Sequence, residues 1–327
     1  MPSRRAFLGS LFLLGAAPLI AQPRFRDYPF ALGVASGYPH SAGFVLWTRL
    51  VGQLDPVAVP VHWEIAADES MRKIVASGIA EAHPAWAHSM HVEPRGLEPD
   101  RWYWYRFHAG DATSPVGRTR TAPAAGAAVS RLRFAFASCQ QYEQGYFNAY
   151  RHIAADAPDL VAFLGDYIYE SSWGANHVRK HSGRGQPYTL EEYRARYSLY
   201  KSDPDLQAGH AACPWIATWD DHEVVNDYAG DRGDGGRQNW PFLARRTAAY
   251  RAYYEHMPLP ERMRPGGGEM RIYTEFDWGG LARFCVLDDR QYRAFQACRE
   301  AGTRSAPVVD PEECAELSDP SRSMLGA

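Results

Sequence analysis

After about residue 130, apolar runs typical of buried strands alternate with helical signals, and this alternation constrains the fold more than any other feature. The runs lie at 132–137, 160–164, 215–219 and 284–287. Between them, residues 145–155 and 240–256 have helical patterns, Thr189 and Glu192 form a capping-box pattern, and Asp203 precedes a proline. The alternation predicts an α/β core whose strands are buried on both faces.

The residues before this core follow a different pattern. From 28 to 123, short apolar runs are separated by turn residues, which predicts a small β-sandwich. The segment LEP (97–99), followed by Tyr103 and Tyr105, resembles the E–F corner of fibronectin type III domains, where a tyrosine hydroxyl bonds nearby backbone. We interpret the aromatic residues 102–105 as core, with a ligand platform as the alternative. Residues 121–128 have a linker composition, so the α/β unit is placed at 130–327.

The N-terminus has the layout of an export signal. Arg4 and Arg5 precede Phe7 and Leu8, and the apolar run that follows, 11–20, is too short to cross a bilayer. The adjacent arginines resemble a twin-arginine signal, with a simple basic-flanked signal peptide as the alternative. We therefore predict a signal peptide at 1–21, export through the twin-arginine machinery, and a periplasmic or secreted mature chain without a membrane span.

Charge and cysteine content exclude two classes of protein. The net charge of −3 argues against a broad nucleic-acid-binding surface, and five cysteines are too few for a disulfide-based miniature fold. Because five is odd, at least one thiol has no internal disulfide partner. Cys298 and Cys314 lie in a polar segment and are predicted to pair in an oxidising compartment, whereas Cys213 and Cys285 are predicted to be core.

Metal-binding residue types follow each predicted core strand. Cys139, Asp166 and Asp221 lie two residues after the first three runs, and Asp288 follows the fourth. The carboxyl ends of strands in an α/β sheet meet at one crevice, and like charges there raise one another's pKa unless a cation neutralises them. Alone, each residue is more typical of a turn, a cap or a small buried side chain. Their joint occurrence at successive strand ends predicts a metal cluster.

Together these motifs resemble the PhoD-type alkaline phosphatase and phosphodiesterase family of the metallophosphatase superfamily. The motifs that carry the resemblance are LGVASG (32–37), LWTR (46–49), SCQ (138–140), GDYIYE (165–170), DDHE (220–223) and LDDRQYR (287–293). The resemblance covers nearly the whole chain. It implies a calcineurin-like metallophosphatase core of the α/β class, preceded by a fibronectin type III-like β-sandwich.

The resemblance also implies the roles of individual residues. The metal ligands would be a thiolate and a phenolate on ferric iron, a bridging carboxylate, a second carboxylate and a calcium-binding amide: Cys139, Tyr169, Asp166, Asp221 and Asn226, respectively. His222 would contact the phosphate or the leaving group. The implied cofactors are Fe(3+) and Ca(2+), and the donor types agree, since oxygen donors suit calcium and thiolate with phenolate suits trivalent iron.

The implied function is hydrolysis of a phosphate ester, and we hypothesise that a metal-bound oxygen attacks phosphorus in line while His222 assists the leaving oxygen. The chain departs from the family by lacking the later G-D-x-H or G-H-x-H histidines, since His256 is the only histidine after His222. We therefore expect a C-terminally truncated chain with an incomplete core and an incomplete ligand set, which would be inactive if the missing ligands are essential. The alternatives are a hydrolase with Cys139 as nucleophile and His222 as base, and a non-enzymatic cell-surface binding fragment.

Overall fold

The computed structural model describes residues 24–183, 185–233, 240–299 and 310–326, so the predicted signal peptide at 1–21 lies outside the described residues. The strands of the described residues are β1 (Val34–His40), β2 (Gly43–Arg49), β3 (Val59–Ala66), β4 (Ile74–Ala82), β5 (Ser89–Val92), β6 (Trp102–Ala109), β7 (Ala112–Thr113), β8 (Gly117–Arg120), β9 (Phe134–Ala137), β10 (Leu160–Phe163), β11 (Trp215–Ala217), β12 (Thr274–Trp278) and β13 (Ala282–Val286). The α-helices are α1 (Asn148–Asp156), α2 (Leu190–Lys201), α3 (Pro204–Ala212) and α4 (Trp240–His256).

The N-terminal strands form two layers around a shared core. Strands β4, β3, β6 and β7 form an antiparallel sheet, with β8 also paired to β6, and this sheet packs against β1, β2 and β5. Alternate residues of β6 point into the core because successive side chains in a strand face opposite ways. The Tyr103 hydroxyl accepts a hydrogen bond from the Glu98 backbone N–H at 3.0 Å, which is the contact expected from the corner pattern.

The second sheet joins both halves of the sequence. Its order is β5-β2-β1-β11-β10-β9; β9, β10 and β11 are parallel, and β1 pairs in parallel with β11 through Gly37 and Trp215. A Cβ at position 37 would lie 2.5 Å from the Pro258 carbonyl oxygen and 2.7 Å from that of Trp215. Only glycine permits this close approach. Gly37 therefore allows β1 to pair with β11, which places the N-terminal strands β1, β2 and β5 in the same sheet as the strands that precede the metal-binding residue types.

The two predicted helix caps, at Thr189 and Asp203, are confirmed. Thr189 and Glu192 form a reciprocal capping box at the start of α2, and the Asp203 carboxylate accepts hydrogen bonds from the first backbone N–H groups of α3. These helices cover one side of β10 and β11 with a core rich in aromatic residues. Its fully buried members include Tyr193, Tyr197, Tyr200, Trp215, Tyr250 and Tyr253.

The fourth predicted strand does not extend the parallel sheet. Within the described residues, β13 pairs only with β12, as a hairpin closed by a tight turn at Gly279. The hairpin instead lies against the sheet, with the Phe134 and Phe284 rings 5.5 Å apart. A strand can satisfy its backbone with the partner nearest in sequence, and β12 provides that partner. Several apolar side chains beside it are exposed: Phe134, Phe136, Leu164 and Leu287.

The cysteines follow the predictions with one exception. Cys298 and Cys314 form a disulfide, and Cys213 is fully buried. Cys285 is exposed, so its prediction as core is wrong, because it lies on the outward face of the hairpin. Among the described residues, no helix combines the length and the apolar character needed to cross a bilayer.

Candidate metal centre

The loops after β9 and β10 are tied together at the ends of their strands. The Cys139 backbone N–H donates to the Gly165 carbonyl oxygen at 3.1 Å, and that of Gln140 donates to the Asp166 carbonyl oxygen at 3.1 Å. Cys139 and Asp166 have φ angles of 57° and 58°, in the left-handed region that residues other than glycine rarely adopt. Such strained conformations persist only where contacts with the surrounding structure hold them in place, and they cluster at functional sites.

Three predicted site residues converge at this edge of the sheet. One ligand atom each from Asp166, Asp221 and His222 lies within 4.8 Å of the others. The two aspartates are buried, although they are separated by 55 positions in the chain. The Tyr169 hydroxyl donates to Asp166 Oδ2 at 2.9 Å, so this residue also reaches the cluster. The structure thus brings carboxylate, imidazole and phenol donors to one point.

His222 is held by a carboxylate that the sequence analysis did not assign. His222 Nδ1 lies 2.6 Å from Glu170 Oε2, and the other oxygen of Glu170 accepts the Asn226 backbone N–H at 3.1 Å. Glu170 is only 1% exposed, and the ring of His222 lies 4.3 Å from that of Tyr169. Glu170 therefore orients His222. Its place in the same short motif as Asp166 and Tyr169 was the only available signal.

A second unassigned carboxylate joins the loops after β10 and β11. The buried Glu223 side chain accepts the Tyr167 backbone N–H at 2.6 Å and the Asp220 backbone N–H at 3.0 Å. Gly165 has a φ of 109° and packs against the Asp220 backbone, where a side chain would have no room. These contacts fix the separation between the loop of Asp166 and the loop of Asp221.

The electrostatics of the site show crowded negative charge. Burial raises the pKa of Asp166 to about 6; nearby His222 opposes this shift, while the charges of Asp221 and Asp220 add to it. Burial alone would lower the pKa of His222, but the hydrogen bond and charge of Glu170, with the charges of the aspartates, raise it to about 9. The cluster therefore favours a positively charged occupant.

Cys139 lies at the margin of this cluster. Its sulfur is not part of the mutually close group, but its thiol neighbours the Asp166 carboxylate and the Tyr169 hydroxyl. Burial and the charge of Asp166 raise the pKa values of both Cys139 and Tyr169, although a hydrogen bond from Ser138 opposes the shift at Cys139. A thiolate and a phenolate here thus require a cation, and bound metal ions deprotonate such ligands. The donor set fits a metal ion on these grounds.

Arg290 closes the other side of the site. Its guanidinium lies 2.5 Å from Asp220 Oδ1 and 3.7 Å from oxygens of both Asp221 and Asp227. It follows β13, the predicted fourth strand, and Trp219 Nε1 donates to Asp288 Oδ1 at 3.1 Å to hold that segment. Arg290, three residues after the predicted fourth strand, therefore still reaches the site.

Asn226 occupies the open side of the site. It lines a cavity of about 530 Å³ with Glu170, Trp173, Gln186 and His222. Its backbone is fixed by Glu170, and its neighbour Asp227 donates a backbone hydrogen bond to Asp221 Oδ2 at 2.5 Å. Asn226 therefore lies beside the cluster. His256, the later histidine, is buried. Its Nε2 lies 2.5 Å from the Arg49 guanidinium and does not bond to these loops.

The fold and the site together define an α/β protein with a candidate metal centre at its strand ends. Family models match on both sides of the linker: the PhoD-like phosphatase N-terminal domain at 15–123 and the PhoD-like phosphatase at 134–327. The chain therefore belongs to the PhoD-like phosphatase family, which confirms the resemblance seen in its motifs.

A known protein and a solved structure are similar over most of the chain. Alkaline phosphatase D of Bacillus subtilis (strain 168) is 49% identical over 326 residues, which cover 96% of this chain and 54% of that protein. The solved structure described as "Structure of PhoD" is 48% identical with a TM-score of 0.86, over 93% of this chain and 59% of that chain. The chain thus spans little more than half the length of these relatives.

Proposed function

We propose that this chain is an exported, metal-dependent phosphoester hydrolase of the alkaline phosphatase and phosphodiesterase type. The observation that carries the proposal is the convergence of Asp166, Asp221 and His222 at the ends of parallel strands, with Cys139 and Tyr169 against Asp166. Membership of the PhoD-like phosphatase family and similarity to a protein named alkaline phosphatase D support the same chemistry.

The donor types support iron and calcium as the metals. Cys139 and Tyr169 would hold Fe(3+), Asp166 would lie between the metals, and Asp221 and Asn226 would hold Ca(2+) through oxygen. When bound, such cations neutralise the phosphoryl oxygens and lower the pKa of water. The crowded carboxylates supply the negative charge that retains them.

The residues of the chain orient the substrate and move a proton. Because Glu170 holds His222 Nδ1, the other ring nitrogen is free to hold a proton for the leaving-group oxygen. The cavity beside His222 and Asn226 is the space for the ester group. Glu223 takes no part in the proton transfer. Its hydrogen bonds instead hold the loops after β10 and β11 at a fixed separation.

The architecture and location of the protein complete the proposal. We assign the signal peptide to 1–21, a fibronectin type III-like sandwich to 28–123, and the N-terminal part of a calcineurin-like catalytic domain to 130–327. The Cys298–Cys314 disulfide supports an oxidising compartment, the periplasm or the exterior, reached through the twin-arginine machinery. A phosphate ester is the proposed substrate.

Reconstitution tests the metal-dependent mechanism against the cysteine-nucleophile alternative. Metal-free chain should hydrolyse p-nitrophenyl phosphate or its bis ester at least about 100-fold faster after Fe(3+) and Ca(2+) are restored, because cations must neutralise the ester oxygens. Iodoacetamide applied to the reconstituted protein should have little effect. Metal-independent hydrolysis that alkylation abolishes would instead support Cys139 as nucleophile, and no hydrolysis under either condition would contradict a hydrolase activity of this chain. A nucleophilic cysteine needs a lowered pKa, whereas that of Cys139 is raised by burial and by Asp166.

A further inference from the structure

A second group of metal-binding side chains lies on the N-terminal sheet. His62 and Glu64 are on β3 and His108 is on β6, and one ligand atom from each lies within 4.8 Å of the others. All three are partly buried, with side-chain exposures of 41%, 18% and 29%, respectively. They alternate with the core residues of their strands and therefore share the outer face of the sheet. The candidate metal centre is built on other strands.

The strand ladder fixes this arrangement. His62 lies directly opposite His108, and Glu64 lies directly opposite Arg106. The imidazole rings are stacked 5.8 Å apart. Glu64 Oε2 is 3.2 Å from His108 Nε2, and Glu64 Oε1 is 4.0 Å from His62 Nδ1. Because paired strands hold the backbone, only side-chain rotation remains before the three donors can meet at one ion.

We infer that His62, Glu64 and His108 form a binding site for a transition-metal dication, with zinc as the representative ion. Two imidazoles and one carboxylate suit zinc, copper or nickel, whereas calcium and magnesium take oxygen donors. Zinc bonds of about 2.0–2.2 Å place ligand atoms roughly 3.4 Å apart, so His62 must turn by a small amount. The exposure of the site leaves the fourth position to water.

Two neighbouring side chains tune the site in opposite directions. Thr113 Oγ1 lies 3.0 Å from His108 Nδ1, and this contact orients the ring so that Nε2 faces Glu64. Arg106 Nε donates to Glu64 Oε2 at 2.7 Å, so this guanidinium occupies the carboxylate that zinc must share. Arg106 therefore competes with the metal ion for the Glu64 carboxylate. Removing the guanidinium is predicted to strengthen metal binding.

Calorimetric titration of the full chain with zinc tests the inference. Wild type should bind one more zinc ion than His62→Ala or His108→Ala, or bind it at least about tenfold more tightly. Arg106→Gln should bind that ion about tenfold more tightly than wild type, since a charge-assisted hydrogen bond to Glu64 is removed. Calcium and magnesium should not occupy this site.

The control is His152→Ala, which removes an exposed histidine from α1 and should leave the stoichiometry unchanged. Circular dichroism establishes that each variant is folded. Equal zinc stoichiometry and affinity in folded wild type and His108→Ala would overturn the inference, as would unchanged or weaker binding in Arg106→Gln. Because the cluster at Asp166 is intact in every variant, failure here would leave the proposed phosphoester hydrolysis unaffected.

Discussion

Replacing Asp166 with asparagine is expected to remove most of the metal bound at the strand ends and to lower phosphoester hydrolysis by roughly 10³-fold. Removing even a residue that only hydrogen-bonds to a metal ligand typically lowers metal affinity or activity by about 10–100-fold. Asp166 is itself a member of the cluster, so a larger loss is expected. The amide keeps the size of the carboxylate but removes its charge. Metal content by mass spectrometry and the rate with p-nitrophenyl phosphate measure the two effects.

The matched control for this change is Asp55→Asn, which alters an exposed aspartate on the N-terminal unit. It should keep both metal and activity. A folded Asp166→Asn protein with full metal content and a full hydrolytic rate would show that the carboxylate is structural and that the proposed centre is wrong.

Replacing Glu170 with glutamine is expected to lower kcat by about 10–100-fold while most of the metal is retained. Glu170 contacts His222 and the Asn226 backbone and is a positioning residue. Burial lowers the pKa of His222, but the hydrogen bond and charge of Glu170, with the charges of Asp221 and Asp166, raise it to about 9, so His222 in the glutamine variant should titrate at lower pH. NMR titration of the His222 ring in the metal-free chain measures this shift.

The same variant separates orientation from simple structural support. A merely structural role would change stability and leave the His222 titration where it is. Unchanged kcat together with an unchanged pKa of His222 would rule out Glu170 as the residue that positions this histidine. Glu191→Gln, on the exposed face of α2, provides a charge-matched control.

Local patterns in the sequence predicted much of the fold. Apolar runs identified β9, β10 and β11, and side-chain caps identified the starts of α2 and α3, because these signals depend on neighbouring residues alone. The rule that strand ends share an edge then predicted that Asp166 and Asp221 would meet.

The partners of strands and of buried charges were harder to predict. An apolar run shows that a strand exists but does not identify its neighbour, so β13 was placed in the sheet although it pairs with β12. The parallel pairing of β1 with β11 depends on a close approach at Gly37 that no periodicity shows. Glu170 and Glu223 bind groups on other loops, and those contacts exist only after the loops have folded.

An anomalous difference map from crystals of the chain reconstituted with Fe(3+) and Ca(2+) tests the central proposal most directly. The proposal predicts an iron peak within coordination distance of the Cys139 sulfur, the Tyr169 hydroxyl oxygen and Asp166, with Asp221 facing the neighbouring cation. No peak at these side chains, or iron bound elsewhere while they point apart, would contradict it.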